Sequence, residues 1–295
     1  MICEYIWVDG NGGMRSKTRV ISNEFPPYWN YDGSSTNQAT TENSEVLIKP
    51  VFTCPDPFRQ GGILVLCDTW IDEYTPHPTN TRVDANLFFD LHRDSKPQLG
   101  FEQEFFVDGL GGPLKNHYCH IEGGNLKMEQ TLQYCLKAKL SITGMNAEVS
   151  SNQWEFQVCD FGINACDQLW MLRYILKKSF YAVNFHPKPH SNQNGSGCHV
   201  NFSTEQIRKG DYNLKTIMDK FKESSEEDLK SYGKFNEMRL TGTHETSDPN
   251  NFTWGKGDRT ASIRINDGYF EDRRPSSNMD PYVVAPIILS KVVEL

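Results

Sequence analysis

The sequence predicts an α+β protein in which a small β domain, residues 1–79, precedes a larger domain, residues 80–295, with a mainly antiparallel sheet flanked by helices. Short strand and turn signals fill the first part of the chain. The proline-punctuated segment YTPHPTN then interrupts them, and strand and helix signals alternate afterwards. A chain of 295 residues has room for two such domains and a substantial core.

Both domains contain recognisable strand signals. In the first domain, YIWVDGNGG ends a strand in a turn, and ILVLCDTWI has the continuous apolar character of a buried strand. In the second domain, alternating patterns predict strands within NQWEFQV, GCHVNFS, ASIRIN and GYFEDRR.

Four helices are predicted in the second domain. Segments 125–140 and 165–180 carry apolar residues close to helical spacing, so both should be packed helices. Segment 213–231 is more polar, and its acidic run ESSEEDLK is expected to form a solvated helix face. A last helix begins at Asp280–Pro281, with Pro286 as a candidate kink or stop.

Composition argues against nucleic acid and membranes as partners. The net charge is −8, with 38 acidic and 30 basic residues, whereas nucleic acid favours a basic surface. The sequence has no run of the roughly 20 apolar residues that a membrane helix needs. Its opening MICEYIWVDGNGG lacks signal-peptide features, so a cytoplasmic location is expected. The eight cysteines form no C-x-x-C pair and are predicted to be reduced thiols.

The strand-like stretch GFEQEFF, residues 100–106, carries two acids where apolar side chains are expected. Strand alternation places Glu102 and Glu104 on one face, roughly 6–7 Å apart, or two steps of about 3.3 Å. One interpretation is a half-exposed sheet whose carboxylates are solvated. The other is a site served by both carboxylates, and the rest of the chain has to decide between them.

Further strand-like segments bring acids or an imidazole into aromatic surroundings. They contribute Glu148 and Glu155 of NAEVSSNQWEFQ, His199 of GSGCHVNFS and Glu271 of GYFEDRRP. Burial of unpaired carboxylates is costly, and a divalent cation removes that cost. Five glutamates and one histidine could give three ligands to each of two ions. Oxygen ligands with few nitrogens suit Mg²⁺ or Mn²⁺ better than Zn²⁺.

Arginines concentrate between residues 239 and 274. Mg²⁺ with several arginines is the arrangement that neutralises a phosphoryl group during transfer. Surface ion pairs are the alternative, but Arg264 lies in an alternating strand and Arg273 stands beside Glu271. The sequence lacks a G-x-x-x-x-G-K-[ST] loop, so a different structure must hold the phosphates. From the residues alone, a two-metal phosphohydrolase is the second interpretation.

Stretches from about residue 5 to the end resemble the glutamine synthetase family of the eukaryotic type. They are WNYDGSST, GFEQEFF, NAEVSSNQWEFQ, NGSGCHVNFS, RLTGTHETS, DRTASIRI and GYFEDRRPSSNMDP. The resemblance implies a β-grasp-like first domain, followed by a catalytic domain with a curved sheet that binds ATP, metal and glutamate. It also implies ATP-dependent ligation of ammonia to L-glutamate, giving L-glutamine, ADP and phosphate through a γ-glutamyl phosphate intermediate.

The same resemblance implies two or more Mg²⁺ or Mn²⁺ ions per site, with ATP as co-substrate. The ion near the ATP phosphates would be held by Glu102, His199 and Glu271. The ion near the amino-acid substrate would be held by Glu104, Glu148 and Glu155. Each acid of GFEQEFF would therefore serve one ion.

Substrate contacts are implied as well. Arg239 would clamp the glutamate carboxylate, with Asn194 and Gly195 at the amino end of the substrate. The transferring phosphate would be neutralised by Arg259, Arg264 and Arg273. The nucleotide would also be contacted by Asn201, Ser203 and Tyr269.

An ammonium pocket is implied from two further segments. Asp32 would take a proton from ammonium, with Ser35 beside it, and Glu245 would close over the substrate. Read without the family, NYDGSS is an ordinary turn. The family also implies that Asp32 acts on the neighbouring subunit, in a homo-oligomer with inter-subunit active sites that is a pentamer or a decamer.

The chain departs from the family pattern at three places. The segment between Val107 and Tyr118 is short, which keeps a single ring open as an alternative to stacked rings. Asn266 and Asp267 are all that remains of a longer loop beside the nucleotide, and Gln98 replaces an aromatic residue near the adenine. No metal ligand is lost.

Two alternative functions follow from the resemblance. One is a glutamyl-amine ligase that uses another amine, and the other is a non-catalytic structural or regulatory ring. The presence of Asp32, Ser35 and Glu245 favours ammonia.

Overall fold

The computed structural model describes residues 1–107, 117–120, 125–180, 182–242 and 247–293. The chain divides into two compact units. The first comprises Met1–Leu87 and Gln133–Leu140, and the second comprises Phe88–Leu132 and Ser141–Leu295. Each unit contains one β-sheet, and helices fill much of the second, which confirms the predicted α+β class.

The first unit is built on a sheet of five strands. They are β1 (Ile2–Val8), β2 (Met14–Val20), β3 (Trp29–Asp32), β4 (Glu45–Pro55) and β5 (Ile63–Trp70). Their spatial order is β2-β1-β5-β4-β3, and only the β1–β5 pair is parallel. Alternate residues of β1 point into the core because side chains alternate along a strand, and Cys3, Tyr5 and Trp7 pack there with Tyr31 and Val65. The two strands predicted in this part of the chain are β1 and β5.

The second unit contains the sheet that carries the predicted site residues. Its strands are β6 (Gln98–Val107), β7 (Ile142–Ala147), β8 (Gln153–Phe161), β9 (Val183–Asn184), β10 (Cys198–Ser203), β11 (Trp254–Lys256), β12 (Ile263–Asn266) and β13 (Tyr269–Asp272). The order is β11-β12-β13-β10-β6-β8-β7, with β9 paired to β6. Only β11 and β12 run parallel, so the predicted antiparallel character is confirmed.

The turn between β12 and β13 is as short as a hairpin allows. Asn266 pairs with Tyr269, so only Asp267 and Gly268 connect the two strands. Gly268 has a φ of 81°, a left-handed conformation that glycine adopts without steric cost.

The α-helices are α1 (Thr81–Leu91), α2 (Asn125–Lys137), α3 (Ile163–Ser179), α4 (Glu205–Lys209), α5 (Leu214–Glu223), α6 (Ser225–Ser231) and α7 (Pro281–Val292). The prediction of a single helix over 213–231 is wrong, because the segment breaks at Ser224. The Ser224 hydroxyl oxygen lies 3.0 Å from the Lys220 carbonyl oxygen and 2.9 Å from Asp228 Oδ2, so its one hydrogen can go to an acceptor on either helix. Pro286 lies within α7, and that helix continues to Val292.

Helix α3 supports the sheet of the second unit. It packs on β6 and β8, and on α7. Residues Ala165–Leu176 of α3 are all buried, and so are the side chains of Phe101 and Phe105 on the side of β6 away from the predicted site. The eight cysteines are free thiols, as predicted. Within the described ranges, no helix is both long enough and apolar enough to cross a membrane.

Candidate active site

A polar cavity of about 170 Å³ lies in the second unit over the face of β6, β8 and β10. Carboxylates, amides and guanidinium groups dominate its lining. The lining residues are Glu102, Glu104, Tyr118, Asn146, Glu148, Gln153, Glu155, Gln157, Asn194, Gly195, Gly197, His199, Arg239, Arg259, Arg264 and Arg273. The structure therefore brings together five of the six predicted metal ligands and four predicted arginines in one cavity. The sixth ligand, Glu271, is not part of the lining but clusters with Glu102 and His199.

Strand register explains how the acids come together. Glu102 and Glu104 share the cavity face of β6, as alternation predicted. Glu155 on β8 stands opposite Glu104, and His199 on β10 stands opposite Glu102. Because β6 lies between β10 and β8, each of its two acids has a predicted ligand directly across the ladder.

Glu102, His199 and Glu271 form one cluster. Their ligand atoms lie within 4.8 Å of one another, and His199 Nδ1 is 3.4 Å from both Glu102 Oε2 and Glu271 Oε1. Burial lowers the pKa of His199 to about 4, so the imidazole is neutral at pH 7, which is the form that binds metals. Burial pushes the pKa of Glu102 upward, but hydrogen bonds from His199 and Asn201 outweigh it and lower the pKa to about 2.

Glu104, Glu148 and Glu155 line the same cavity and share an unfavourable environment. Burial, followed by the charge of a neighbouring carboxylate, raises the pKa of each to about 8. At pH 7 these three carboxyls ionise together only if positive charge enters the cavity. A divalent cation supplies that charge and prefers oxygen ligands, so the residues fit the metal ions predicted from the sequence.

Each of these three carboxylates is oriented by a side-chain amide. Gln153 Nε2 donates to Glu104 Oε2 at 2.9 Å, and Gln157 Nε2 donates to Glu155 Oε1 at 2.6 Å. Asn146 Nδ2 donates to Glu148 Oε1 at 2.9 Å. In every case the amide engages one oxygen of the carboxylate and thereby fixes the orientation of the group.

The arginines surround this acidic floor. Arg264 Nε is 2.5 Å from Glu271 Oε2, and Arg273 Nη1 is 3.2 Å from Glu271 Oε1. Arg239 is buried, and burial lowers its pKa to about 10, although it remains charged at pH 7. Arg274 follows Arg273 but does not line the cavity, since it pairs with the buried Asp272 at 2.7 Å.

The loop before β10 supplies backbone to the cavity. Asn194, Gly195 and Gly197 line it. A Cβ on Gly195 would lie 2.3 Å from Arg239 Cγ, so only glycine fits where the loop crosses this arginine. The predicted contacts to the amino-acid substrate, Arg239, Asn194 and Gly195, are therefore neighbours.

Three predicted nucleotide contacts, Asn201, Ser203 and Tyr269, are not among the residues that line the cavity. Asn201 Nδ2 donates to Glu102 Oε1 at 2.8 Å. Ser203 Oγ accepts a hydrogen bond from Arg208 Nη1 at 2.9 Å, and Tyr269 is 38% exposed. All three are on β10 or β13, on the Glu102 side of the site.

The predicted ammonium residues are only partly described. Asp32 and Ser35 belong to the first unit, where Asp32 accepts hydrogen bonds from the hydroxyls of Ser34 and Ser35 at 2.6 and 3.0 Å. These hydrogen bonds, from Ser34 above all, lower the pKa of Asp32, so it is ionised at pH 7. Glu245 lies outside the described residues.

Comparison with known proteins identifies the family. A family profile described as "Glutamine synthetase, catalytic domain" matches residues 121–233. The glutamine synthetase of Candida glabrata is 41% identical over 99% of this chain and 88% of its own length. "Glutamine synthetase cytosolic isozyme 1-1" of Oryza sativa subsp. japonica is 41% identical over 99% of this chain and 94% of its own length. The chain belongs to the glutamine synthetase family.

Membership of the glutamine synthetase family confirms the resemblance and makes the chain a glutamate–ammonia ligase, which forms L-glutamine. The family uses ATP and divalent metal ions. Neither of the two alternative functions is favoured by the comparison, because the relatives named glutamine synthetase align over nearly the whole chain.

Several residues that line the cavity of this glutamine synthetase family member were not predicted from the sequence. They are Tyr118, Asn146, Gln153, Gln157 and Gly197. A signal was available for two of them, since the alternation of QWEFQ places Gln153 and Gln157 on the face of Glu155. Amides do not titrate, so a search for acids and bases passes over them.

Proposed function

We propose that the cavity performs the ligation in two steps with two or more Mg²⁺ or Mn²⁺ ions. In the first step the L-glutamate side-chain carboxylate attacks the γ-phosphorus of ATP, and ADP leaves. In the second step ammonia attacks the γ-glutamyl phosphate, and phosphate leaves. The acyl phosphate replaces a poor electrophile by one with a good leaving group. The observation that carries this proposal is the set of buried glutamates facing four arginines in one cavity.

The metal ligands are proposed as two sets. Glu102, His199 and Glu271 would hold the ion near the ATP phosphates, supported by their mutual distances within 4.8 Å. Glu104, Glu148 and Glu155 would hold the ion near glutamate, supported by their raised pKa values. When bound, the divalent ions neutralise charge on the phosphate and carboxylate oxygens.

The arginines are proposed to act on two different anions. Arg264 and Arg273 contact Glu271, so their guanidinium groups are held beside the proposed phosphate position, and Arg259 is exposed at the cavity. Together they would stabilise charge on the transferring phosphoryl group. Arg239 would bind the α-carboxylate of glutamate, with Asn194 and Gly195 at its amino group.

The nucleotide is proposed to bind on the Glu102 side of the site. Asn201, Ser203 and Tyr269 would contact it, together with Arg259 and Arg264. This placement is supported by the hydrogen bond from Asn201 to Glu102, a proposed ligand of the ion near the phosphates.

Ammonium is proposed to bind at Asp32, Ser35 and Glu245. The lowered pKa of Asp32 supports a role in attracting NH₄⁺, and loss of a proton from NH₄⁺ then creates the nucleophile. We further propose a cytoplasmic homo-oligomer, a pentamer or a decamer, in which residues 1–79 of one subunit complete the site of residues 80–295 of the next.

Phosphate release from ATP tests the proposal. With Mg²⁺ and L-glutamate, release should require ammonium and should collapse in Glu245→Ala. Glu237→Ala, which changes an exposed glutamate nearby in sequence, should retain turnover and is the matched control. Equal release with and without ammonium would contradict the ammonia step, and faster turnover with methylamine than with ammonium would support the amine ligase instead.

A further inference from the structure

Gln153 makes two hydrogen bonds that connect separate parts of the site. It is 1% exposed, and its Nε2 donates to Glu104 Oε2 at 2.9 Å and to the Gly195 carbonyl oxygen at 2.8 Å. A side-chain NH₂ group has two hydrogens, so both are used. One amide therefore spans a proposed metal ligand and the loop proposed to bind glutamate.

The amide has only one favourable orientation. Glu104 Oε2 and the Gly195 carbonyl are both acceptors, so rotating the amide by 180° would set Gln153 Oε1 against two oxygens. In the observed orientation Oε1 is buried and has no hydrogen-bond partner among the described residues. The two hydrogen bonds are therefore made together or lost together.

The partners of Gln153 are themselves constrained. Glu104 Oε2 also accepts from the backbone N–H of Gly197 at 2.9 Å, so two donors hold this oxygen and leave Oε1 for a cation. The loop between the two glycines is short and buried at Ser196, whose N–H donates to the Pro187 carbonyl at 2.8 Å. A rotation of the Glu104 carboxylate would therefore strain both ends of the loop 194–197.

We propose that Gln153 is a positioning residue that couples cation binding at Glu104 to L-glutamate binding at the loop 194–197. The inference rests on the proposed function, which assigns the cation and glutamate to these groups. A cation that fixes the Glu104 carboxylate also fixes the Gln153 amide, and the amide fixes the Gly195 carbonyl. By linkage, bound glutamate then raises the affinity for the cation by the same factor.

Gln157 offers a matched control on the same face of β8. Its Nε2 donates to Glu155 Oε1 at 2.6 Å and to Asn146 Oδ1 at 3.1 Å. It thus orients a proposed metal ligand as Gln153 does, but its second bond goes to β7 and not to the loop 194–197. Loss of either glutamine should weaken cation binding. Only loss of Gln153 should weaken the coupling of the two ligands, because it leaves Gly197 as the one described hydrogen-bonded link between Glu104 and the loop 194–197.

The test compares the native protein with Gln153→Leu and Gln157→Leu. L-glutamate is titrated calorimetrically with and without saturating Mn²⁺, and Mn²⁺ binding is followed by the electron paramagnetic resonance of the free ion with and without L-glutamate. In the native protein we expect each ligand to raise the affinity for the other by about tenfold. The factor should fall by about half or more in Gln153→Leu, where the Gly197 N–H still contacts Glu104, and stay near the native value in Gln157→Leu.

Three outcomes would each overturn the inference. They are a coupling factor in Gln153→Leu equal to that of the native protein, an equal loss of coupling in both variants, and no coupling in the native protein. If Gln153→Leu does not fold, Gln153→Asn serves instead, because the shorter side chain keeps the amide but cannot span both acceptors. Failure of the native protein to bind L-glutamate at all would instead refute the proposed function. The two failures are therefore distinguishable.

Discussion

Binding of Mn²⁺ to the metal-free protein at pH 7 should release about two protons. The protons come mainly from Glu104, Glu148 and Glu155, whose pKa values of about 8 reflect burial and the charge of neighbouring carboxylates. Glu271, whose pKa burial raises to about 7, contributes a smaller share. A carboxyl with such a pKa is about 90% protonated at pH 7. Because each pKa is raised partly by the charge of a neighbour, the three do not all stay protonated at once, and about two protons is the expected count.

The release should depend on pH in a defined direction. Above pH 9 the same carboxyls are already ionised, so proton release should approach zero. Below pH 8 the affinity for Mn²⁺ should rise with pH, because fewer protons must leave. Glu102, with a pKa of about 2, contributes no proton anywhere in this range.

Calorimetry in two buffers of different ionisation enthalpy measures the proton count directly. The experiment is run at pH 7 and at pH 9.5 on the same protein, so the higher pH is the internal control. Glu104→Gln removes one titrating carboxyl and should lower the count at pH 7 by about one. Release near zero at pH 7, or equal release at both pH values, would refute the assignment of raised pKa values to this cavity.

Three further predictions concern stability and turnover. In the presence of a chelator, the free energy of unfolding measured with urea should fall from about pH 5 to pH 8. The reason is that a carboxyl whose folded pKa of about 8 exceeds its unfolded value of about 4.3 favours the folded state only while it is protonated. Saturating Mg²⁺ should flatten this slope, and a rise in stability across that range would contradict the prediction. Tyr232→Phe should lower the free energy of unfolding by about 1–3 kcal/mol in the same assay, because the buried Tyr232 hydroxyl donates to Asp272 Oδ2 at 2.9 Å. A variant as stable as the native protein would count against a stabilising role for this hydrogen bond. Asp32→Asn should lower ammonium-dependent turnover by roughly 10²–10⁴-fold with an unchanged melting temperature, whereas Asp72→Asn, on another exposed turn of the same unit, should leave turnover intact. Similar turnover in these two variants would rule out a catalytic role for Asp32.

Strand periodicity carried most of what could be predicted of the fold. The faces of Glu102 and Glu104 followed from counting in twos, and the structure confirms that both line one cavity. The break at Ser224 could not be predicted, because segment 213–231 contains no glycine or proline. There a serine hydroxyl lies within hydrogen-bond distance of an acceptor on each flanking helix, and such contacts cannot be read from a sequence pattern.

The site was predictable to a different extent. Residue types pointed to carboxylates, an imidazole and arginines around two metal ions, but only the resemblance assigned each ligand to one of the two ions. The sequence does not reveal the register between strands, and Glu104 faces Glu155 only because β6 pairs with β8 in the observed register. The amides that orient the carboxylates, such as Gln153, are found by asking which neighbours share a face and not which residues titrate.

The central position of β6 restricts how the chain can change in length. Strand β6 is hydrogen-bonded to β10 on one side and to β8 on the other, so a residue inserted within 98–107 would exchange its two faces and present phenylalanines to the cavity. Insertions and deletions should therefore be tolerated in the connections between strands. The two-residue turn at Asp267–Gly268 shows such a connection at its shortest, with the ladder between Arg264 and Glu271 kept intact. A lineage of such enzymes can become smaller by trimming its turns while the proposed metal ligands on β6, β8, β10 and β13 keep their strand positions.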